Sequence, residues 1–271
     1  MKKSLEGQIA VVTGASRGVG KGIALGLGEA GATVYVTGRS VEPRSGSDAL
    51  PGTIGETADL VTAAGGHGVA VRCDHANDAD VAALFERVKK DHGRIDILVN
   101  NAFAIPDGKL VAPFWELPID HWDVMHRVGL RSHYVASWFA APTMIAAKGG
   151  LIVNVSSFGA KIQAVNVAYG VGKAGVDRMT RDMGRELKPH GVAVVSLWPG
   201  IVKTERLLVD DRLGFDPSNG ESPTLSGRAV AAVAGDPERM SKTSQSLVVA
   251  ELAREYGFTD IDGSVPVSMK R

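Results

Sequence analysis

Short apolar runs bounded by turn residues alternate along the chain with longer amphipathic stretches. The runs are QIAVVTG (8–14), TVYVTG (33–38), GVAVRCD (68–74), IDILVNN (95–101), GLIVNVSS (150–157), VAVVSLWPG (192–200) and SLVVAE (246–251). Each is rich in Val and Ile and apolar at consecutive positions, so both of its faces call for burial, as in strands inside a parallel sheet. Residues 18–30, 78–92, 120–147 and 167–188 instead repeat apolar residues at helical spacing. Strand, helix and strand in regular succession predict an α/β fold, a doubly wound parallel sheet with helices on both faces. No linker, charge block or repeat divides residues 1–271, so a single domain is expected.

Two segments break the alternation. Residues 40–56, SVEPRSGSDALPGTIGE, are rich in Gly, Pro and Ser and predict a lengthened loop after the second strand. Residues 203–226 follow the sixth strand without clear periodicity. Such an excursion in an α/β enzyme is either a substrate-binding lid or a passive surface loop.

Composition narrows the function. Apolar residues make up 44% of the chain and charged residues 22%, and thirty basic side chains balance thirty acidic ones. That balance gives no reason to expect nucleic acid or an anionic membrane as partner. Cys73 is the single cysteine and has no internal partner, which fits a reducing compartment. The apolar run after Lys2 and Lys3 is too short for a secretion signal, and no window is long enough to span a membrane. A soluble cytoplasmic protein is expected. The seven histidines show no ligand spacing, so no metal is expected.

The first run leads directly into TGASRGVGKG, with Gly14, Gly18 and Gly20 at the strand–helix junction. Glycines there let the backbone turn tightly against a pyrophosphate, which then lies at the positive end of the helix. At the end of the second run, where an acidic residue would select NAD(H), the chain has Gly38-Arg39-Ser40. No carboxylate repels a 2′-phosphate, Arg39 can pair with one, and Arg17 can approach from the other side. NADP(H) is therefore expected in preference to NAD(H).

TGASRGVG (13–20), CD (73–74), VNNA (99–102), VSS (155–157), YGVGK (169–173) and WPGIVKT (198–204), in that order and spacing, resemble the short-chain dehydrogenases/reductases. VGLRSHY (128–134) and SLWPGIV point to a narrower group within that family. The resemblance spans roughly residues 5–204 and implies a Rossmann-type fold, an oxidoreductase activity and a homo-oligomer, dimer or tetramer, paired through long helices. It also implies that Gly14, Ser16, Arg17, Gly18, Val19, Gly20, Arg39, Asp74, Asn100, Pro199, Gly200, Val202 and Thr204 bind the cofactor. Asp74 would lie beside the adenine, Asn100 near a ribose and Thr204 at the carboxamide. Read without the family, Asp74 is a helix cap and Asn100 a turn residue.

Tyr169 and Lys173 stand one helical turn apart and share a face. Reducing a carbonyl needs a proton on oxygen, and a free phenol titrates near 10, too high to be poised at neutral pH. An ammonium about 4 Å away contributes on the order of 4 kcal/mol at an effective dielectric of 20, enough for a shift of roughly three units. In the family reading Lys173 also holds the cofactor ribose. A serine should share the substrate oxygen. Ser156 and Ser157 point to opposite faces of the strand; the spacing usual in the family that the chain resembles implies Ser156, alignment of the strand's end selects Ser157, and Ser157 is preferred. Gly170, Gly172 and Gly175 each cost about 1 kcal/mol in a helix. They suggest room left for the cofactor or a second helix, including one from a symmetry mate.

The chain departs from the family pattern at two positions. Gly129 stands where an asparagine usually holds a relay water, and Phe103 replaces the glycine that usually follows NNA. Phe103, Phe158, Val202, Leu207 and Leu208 suggest an apolar substrate mouth, with hydrophobic core as the alternative. The leading expectation is an NADPH-dependent carbonyl reductase or alcohol dehydrogenase acting on a ketone, aldehyde or secondary alcohol. A redox sensor that binds NADP(H) without turnover is the alternative.

Overall fold

The computed structural model describes residues 3–43 and 50–268. Seven strands, β1 (Ile9–Val12), β2 (Thr33–Gly38), β3 (His67–Arg72), β4 (Ile97–Asn100), β5 (Gly150–Val155), β6 (Val192–Trp198) and β7 (Ser246–Val248), form one sheet. Their order is β3-β2-β1-β4-β5-β6-β7 and every pairing is parallel. Alternation along the strands feeds two cores. Ala10 and Val12 pack into one core with α1 (Gly18–Glu29), α2 (Ile54–Ala63), α7 (Pro223–Gly235) and α8 (Val249–Tyr256). Ile9 and Val11 pack into the other with α3 (Asp78–His92), α5 (Ser132–Ala146) and α6 (Val167–Leu187). This is the two-sided architecture that the apolar runs predict. No helix among the described residues is long and apolar enough to cross a membrane.

The differences from expectation have local causes. Of the expected loop 40–56, residues 44–49 lie outside the described residues, and its end is already helix. Thr53 and Glu56 form a reciprocal capping box that starts α2. The expected helix over 120–147 is α4 (Asp120–His126) followed by α5, with the backbone widened to a π-helical turn over Arg127–Arg131. The run SLVVAE is divided, with three residues in β7 and the rest opening α8. Residues 223–226, read as the end of the excursion, are the first turn of α7, whose alanine-rich face gives little apolar contrast.

Helix α1 reaches the sheet and α7 at once because its packed faces carry glycines. A Cβ on Gly26 would come within 2.5 Å of the Gly227 carbonyl oxygen in α7. Neither backbone can yield without moving its helix. Gly55, near the start of α2, has nothing closer to such a Cβ than Thr53 Oγ1 at 3.8 Å. Urea unfolding should therefore show Gly26→Ala losing roughly 3 kcal/mol through overpacking. Gly55→Ala should be neutral or gain up to about 1 kcal/mol from helix propensity.

Candidate active site

Every crossover in a parallel sheet of this order leaves the C-terminal strand ends facing one crevice, widest where β1 and β4 diverge from their connections. A cavity of about 480 Å³ opens there, within the usual range for a small-molecule site. Gly14, Ser16, Arg17, Gly18, Val19, Arg39, Asp74, Ser157, Tyr169, Lys173, Pro199, Gly200, Val202 and Thr204 all line it.

Two of the expected cofactor residues do not. Gly20 is buried behind the turn, where a Cβ would overlap the Gly14 carbonyl and the Asn101 side chain, so it serves close packing of turn and helix. Asn100 is fully buried, and its side-chain amide donates to Ser137 Oγ (2.9 Å) and Asn154 Oδ1 (2.8 Å). Its side chain thus ties β4 to β5 and α5, and its neighbour Asn101 lines the cleft instead, donating to the carbonyls of Thr13 and Gly14.

The glycine turn forms a cradle. Gly14 and Gly18 have φ of +65° and +57°, and a Cβ at Gly14 would meet the Ala102 backbone at 2.8 Å. Arg17 occupies the N-cap position of α1 in extended conformation, and its side chain caps none of the first-turn amides. The Gly18 N–H donates to Glu205 Oε2 at 2.7 Å. A carboxylate thus takes a donor at the positive end of the helix. Arg17 itself is docked on the neighbouring loop, donating to Ser40 Oγ and to the carbonyls of Leu50, Pro51 and Gly52. Arg39 is exposed at the rim and has no ion pair or hydrogen bond with any described residue. Asp74 accepts from the Ala76 N–H, a local turn, while the cap of α3 is Asn77.

At the other end of the cleft, Ser157 Oγ and Tyr169 Oη lie 2.8 Å apart. Ser156 faces away and donates to the Lys173 carbonyl. The register that brings Tyr169 to Ser157 is fixed by Asn166, whose side chain accepts from the Tyr169 N–H at the start of α6 and donates to the Leu110 carbonyl. Lys173 is buried, and its Nζ donates to the Val155 carbonyl at 3.1 Å. Burial pulls the ammonium down to about 8, against a smaller opposing pull from Asp177. Burial also raises the Tyr169 phenol, and the Ser157 hydrogen bond only partly offsets it. Without the cofactor, desolvation sets the direction of the phenol's shift. The nearby His133, buried in α5, is held down to about 3 by burial first and by the Lys173 charge second.

The glycines of α6 admit helices of the same chain. A Cβ on Gly172 would meet the His126 ring at 3.0 Å, and one on Gly175 would meet Leu130 at 3.1 Å. Phe103, Phe158, Val202 and Leu207 line the cleft together with Ile105, Leu110 and Phe215, whereas Leu208 points outward and is 61% exposed. Residues 204–213 bridge the mouth. Asp210 takes Arg206 and Arg212, and Arg212 reaches the carbonyls of Pro106 and Gly108 on the opposite rim. Further along the same segment Glu221 pairs with Val202 in an isolated bridge, and its buried carboxyl is pushed up to about 7 chiefly by desolvation. Reading the sequence missed Asn166, Glu205 and Glu221. An asparagine three residues before a helical tyrosine is a legible cap signal; nothing local marks the other two.

The chain belongs to the short-chain dehydrogenase family, whose family model matches residues 8–209. It is accordingly an NAD(P)-dependent oxidoreductase. Among its relatives, mouse (Mus musculus) dehydrogenase/reductase SDR family member 1 is 44% identical over 279 residues, covering 97% of this chain and 86% of that protein. A solved metagenomic short-chain oxidoreductase in complex with NADP superposes with a TM-score of 0.73 at 33% identity, covering 90% of this chain and 97% of that one. A short-chain type dehydrogenase/reductase from Mycobacterium marinum gives 0.76 at 27%, covering 90% and 94%.

The cradle fits the nicotinamide dinucleotide that the family implies: its glycines leave no Cβ in the way, and its helix amides are uncapped by Arg17. Glu205 is the discordant group, a negative charge bonded where phosphate charge must be accommodated. Titration of cofactor fluorescence should show Glu205→Gln binding NADPH several-fold more tightly, a gain of roughly 1–2 kcal/mol. Unchanged or weaker binding would show that the carboxylate does not compete.

Proposed function

We propose that the chain is an NADPH-dependent carbonyl reductase, reversible as an alcohol dehydrogenase, acting on an apolar ketone, aldehyde or secondary alcohol. The observation that carries this reading is the 2.8 Å contact of Ser157 Oγ with Tyr169 Oη at the floor of a cleft with apolar walls. When bound, the nicotinamide supplies or accepts the hydride. Tyr169 gives its phenolic proton to the substrate oxygen, and its raised pKa keeps that proton available at neutral pH. Ser157 donates a hydrogen bond to the same oxygen and opposes the charge that develops there. The buried Lys173 ammonium lowers the cost of the phenolate left behind, which takes its next proton from solvent.

The open Arg39 at the rim supports NADP(H) over NAD(H), with Arg17 and Ser40 forming the wall beside it. The NADP complex of the metagenomic relative points the same way. Residues 203–222 act as the lid of a single domain in this reading, held closed by the Arg212 contacts. The exposed apolar side chains Trp122, Tyr134, Trp138, Val167 and Val171 on α4, α5 and α6 support a homo-oligomer paired through those helices. The even charge balance and the want of a spanning helix among the described residues suit a cytoplasmic enzyme.

The test is NADPH oxidation screened over ketones, aldehydes and quinones. Turnover is expected on apolar carbonyls, and Tyr169→Phe should abolish it, by at least about 100-fold, while cofactor binding persists. Full activity in that variant would remove Tyr169 from the chemistry. Confirmed NADPH binding with no turnover anywhere in the screen would favour the redox sensor. Separately, Arg39→Asp should invert the preference towards NADH; an unchanged ratio of the two affinities would relocate the 2′-phosphate site.

A further inference from the structure

A buried ammonium needs partners for three N–H groups, and Lys173 finds one acceptor in the Val155 carbonyl. On another side its Nζ stands 4.9 Å from the centroid of the Phe103 ring and 5.7 Å from that of Tyr169. Phe103 in turn meets Tyr169 edge to face, with centroids 5.8 Å apart and planes at 88°. The ring therefore touches both members of the pair. It can stand there only because residue 129 has no side chain: a Cβ on Gly129 would lie 2.5 Å from Phe103 Cε2, inside the ring's own volume. Gly129 sits in the middle of the widened turn Arg127–Arg131, the kind of local helix distortion that accompanies functional sites.

We propose that Phe103 is a positioning residue, whose ring face holds the Lys173 ammonium beside the Tyr169 phenol, and that Gly129 is the space that admits the ring. The attraction is that of a cation for the negative face of an aromatic quadrupole, strongest where both are shielded from water. Its electrostatic setting is otherwise sparse. From α6 itself Tyr169 and Asp177 face the lysine, and Asp177 favours its charged form. The end of β5 contributes the Val155 carbonyl, with the Ser157 hydroxyl on Tyr169 and that of Ser156 on the main-chain carbonyl of residue 173; α5 contributes His133, and α4 contributes His126 against Gly172. Burial opposes the charge, and Asp177, the Val155 carbonyl and the ring are the groups that offset it.

The inference rests on the role given to Lys173 above, but its primary test does not need turnover. The titration of the Lys173 side chain can be followed by NMR in the protein without added nucleotide. Phe103→Leu keeps an apolar filler but removes the π face, and should move the midpoint to lower pH by about half to one unit. The sign follows from losing a partner of the charged form. Phe103→Tyr keeps the ring and should leave the midpoint in place. Gly129→Ala, which carries no charge or donor, should act like Phe103→Leu by displacing the ring. Phe103→Ala and the pair Phe103→Ala, Gly129→Ala should share one midpoint, since no ring is left to displace. The alkaline limb of the kcat profile should follow these midpoints with little change in KM. One midpoint for wild type, Phe103→Leu and Gly129→Ala would overturn the proposal, as would a loss of turnover with an unmoved titration. The expected shifts in a protein that reduces no carbonyl would support the positioning role and sink the reductase reading instead.

Discussion

The structure depends on keeping a charged lysine dry beside a phenol. Burial lowers Lys173 from 10.5 to about 8, so at neutral pH its charged form weakens the folded state by roughly 3 kcal/mol relative to an exposed lysine. The unfolded chain holds that proton up to a higher pH than the folded one, which fixes the sign. Such a cost survives only if the surroundings over-determine the geometry. They do so from three directions: Val155 accepts a hydrogen bond from the ammonium, Asn166 fixes the first turn of α6, and close helix packing at Gly172 and Gly175 leaves α6 little room to move. The glycines in YGVGK weaken the helix in isolation and strengthen its placement in the fold.

That trade explains why much of the architecture was legible in the sequence. Strands buried on two faces must be apolar at consecutive positions, and seven such runs gave seven strands with small shifts at their ends. Helices with a charged outer face, such as α3, announced themselves by period. Helix α7 did not, because Ala and Gly present almost the same surface all round and its placement is decided by close approach to α1. The divided run at 246–251 was ambiguous for a related reason: a short apolar segment carries no period of its own.

The site was legible where chemistry demands a residue type and illegible where three-dimensional proximity decides. Tyr169, Lys173 and the glycine turn follow from spacing along one element. The choice between Ser156 and Ser157 needed the strand's register, and the geometry brings Ser157 to the phenol. Asn100 and Asn101 are adjacent in sequence, yet one ties strands together inside the sheet and the other lines the cleft. Glu205 reaches Gly18 across 187 residues of chain, a relation no local pattern encodes. The raising of the phenol by burial was not legible, because the sequence gives the distance between charges along a helix but not how dry their surroundings are.

Dryness also links the two ends of the cleft. At the floor, burial raises Tyr169, lowers Lys173 and holds His133 neutral, so each group's protonation is set by its few contacts more than by solvent. Burial also raises Glu221, while Glu205 takes the Gly18 amide of the glycine turn. Both carboxylates stand on the chain that leaves β6, and the Arg212 contacts fasten that same chain to the opposite rim. Glu205 on Gly18 and Arg212 on the opposite rim are thus two attachments of one short stretch of backbone.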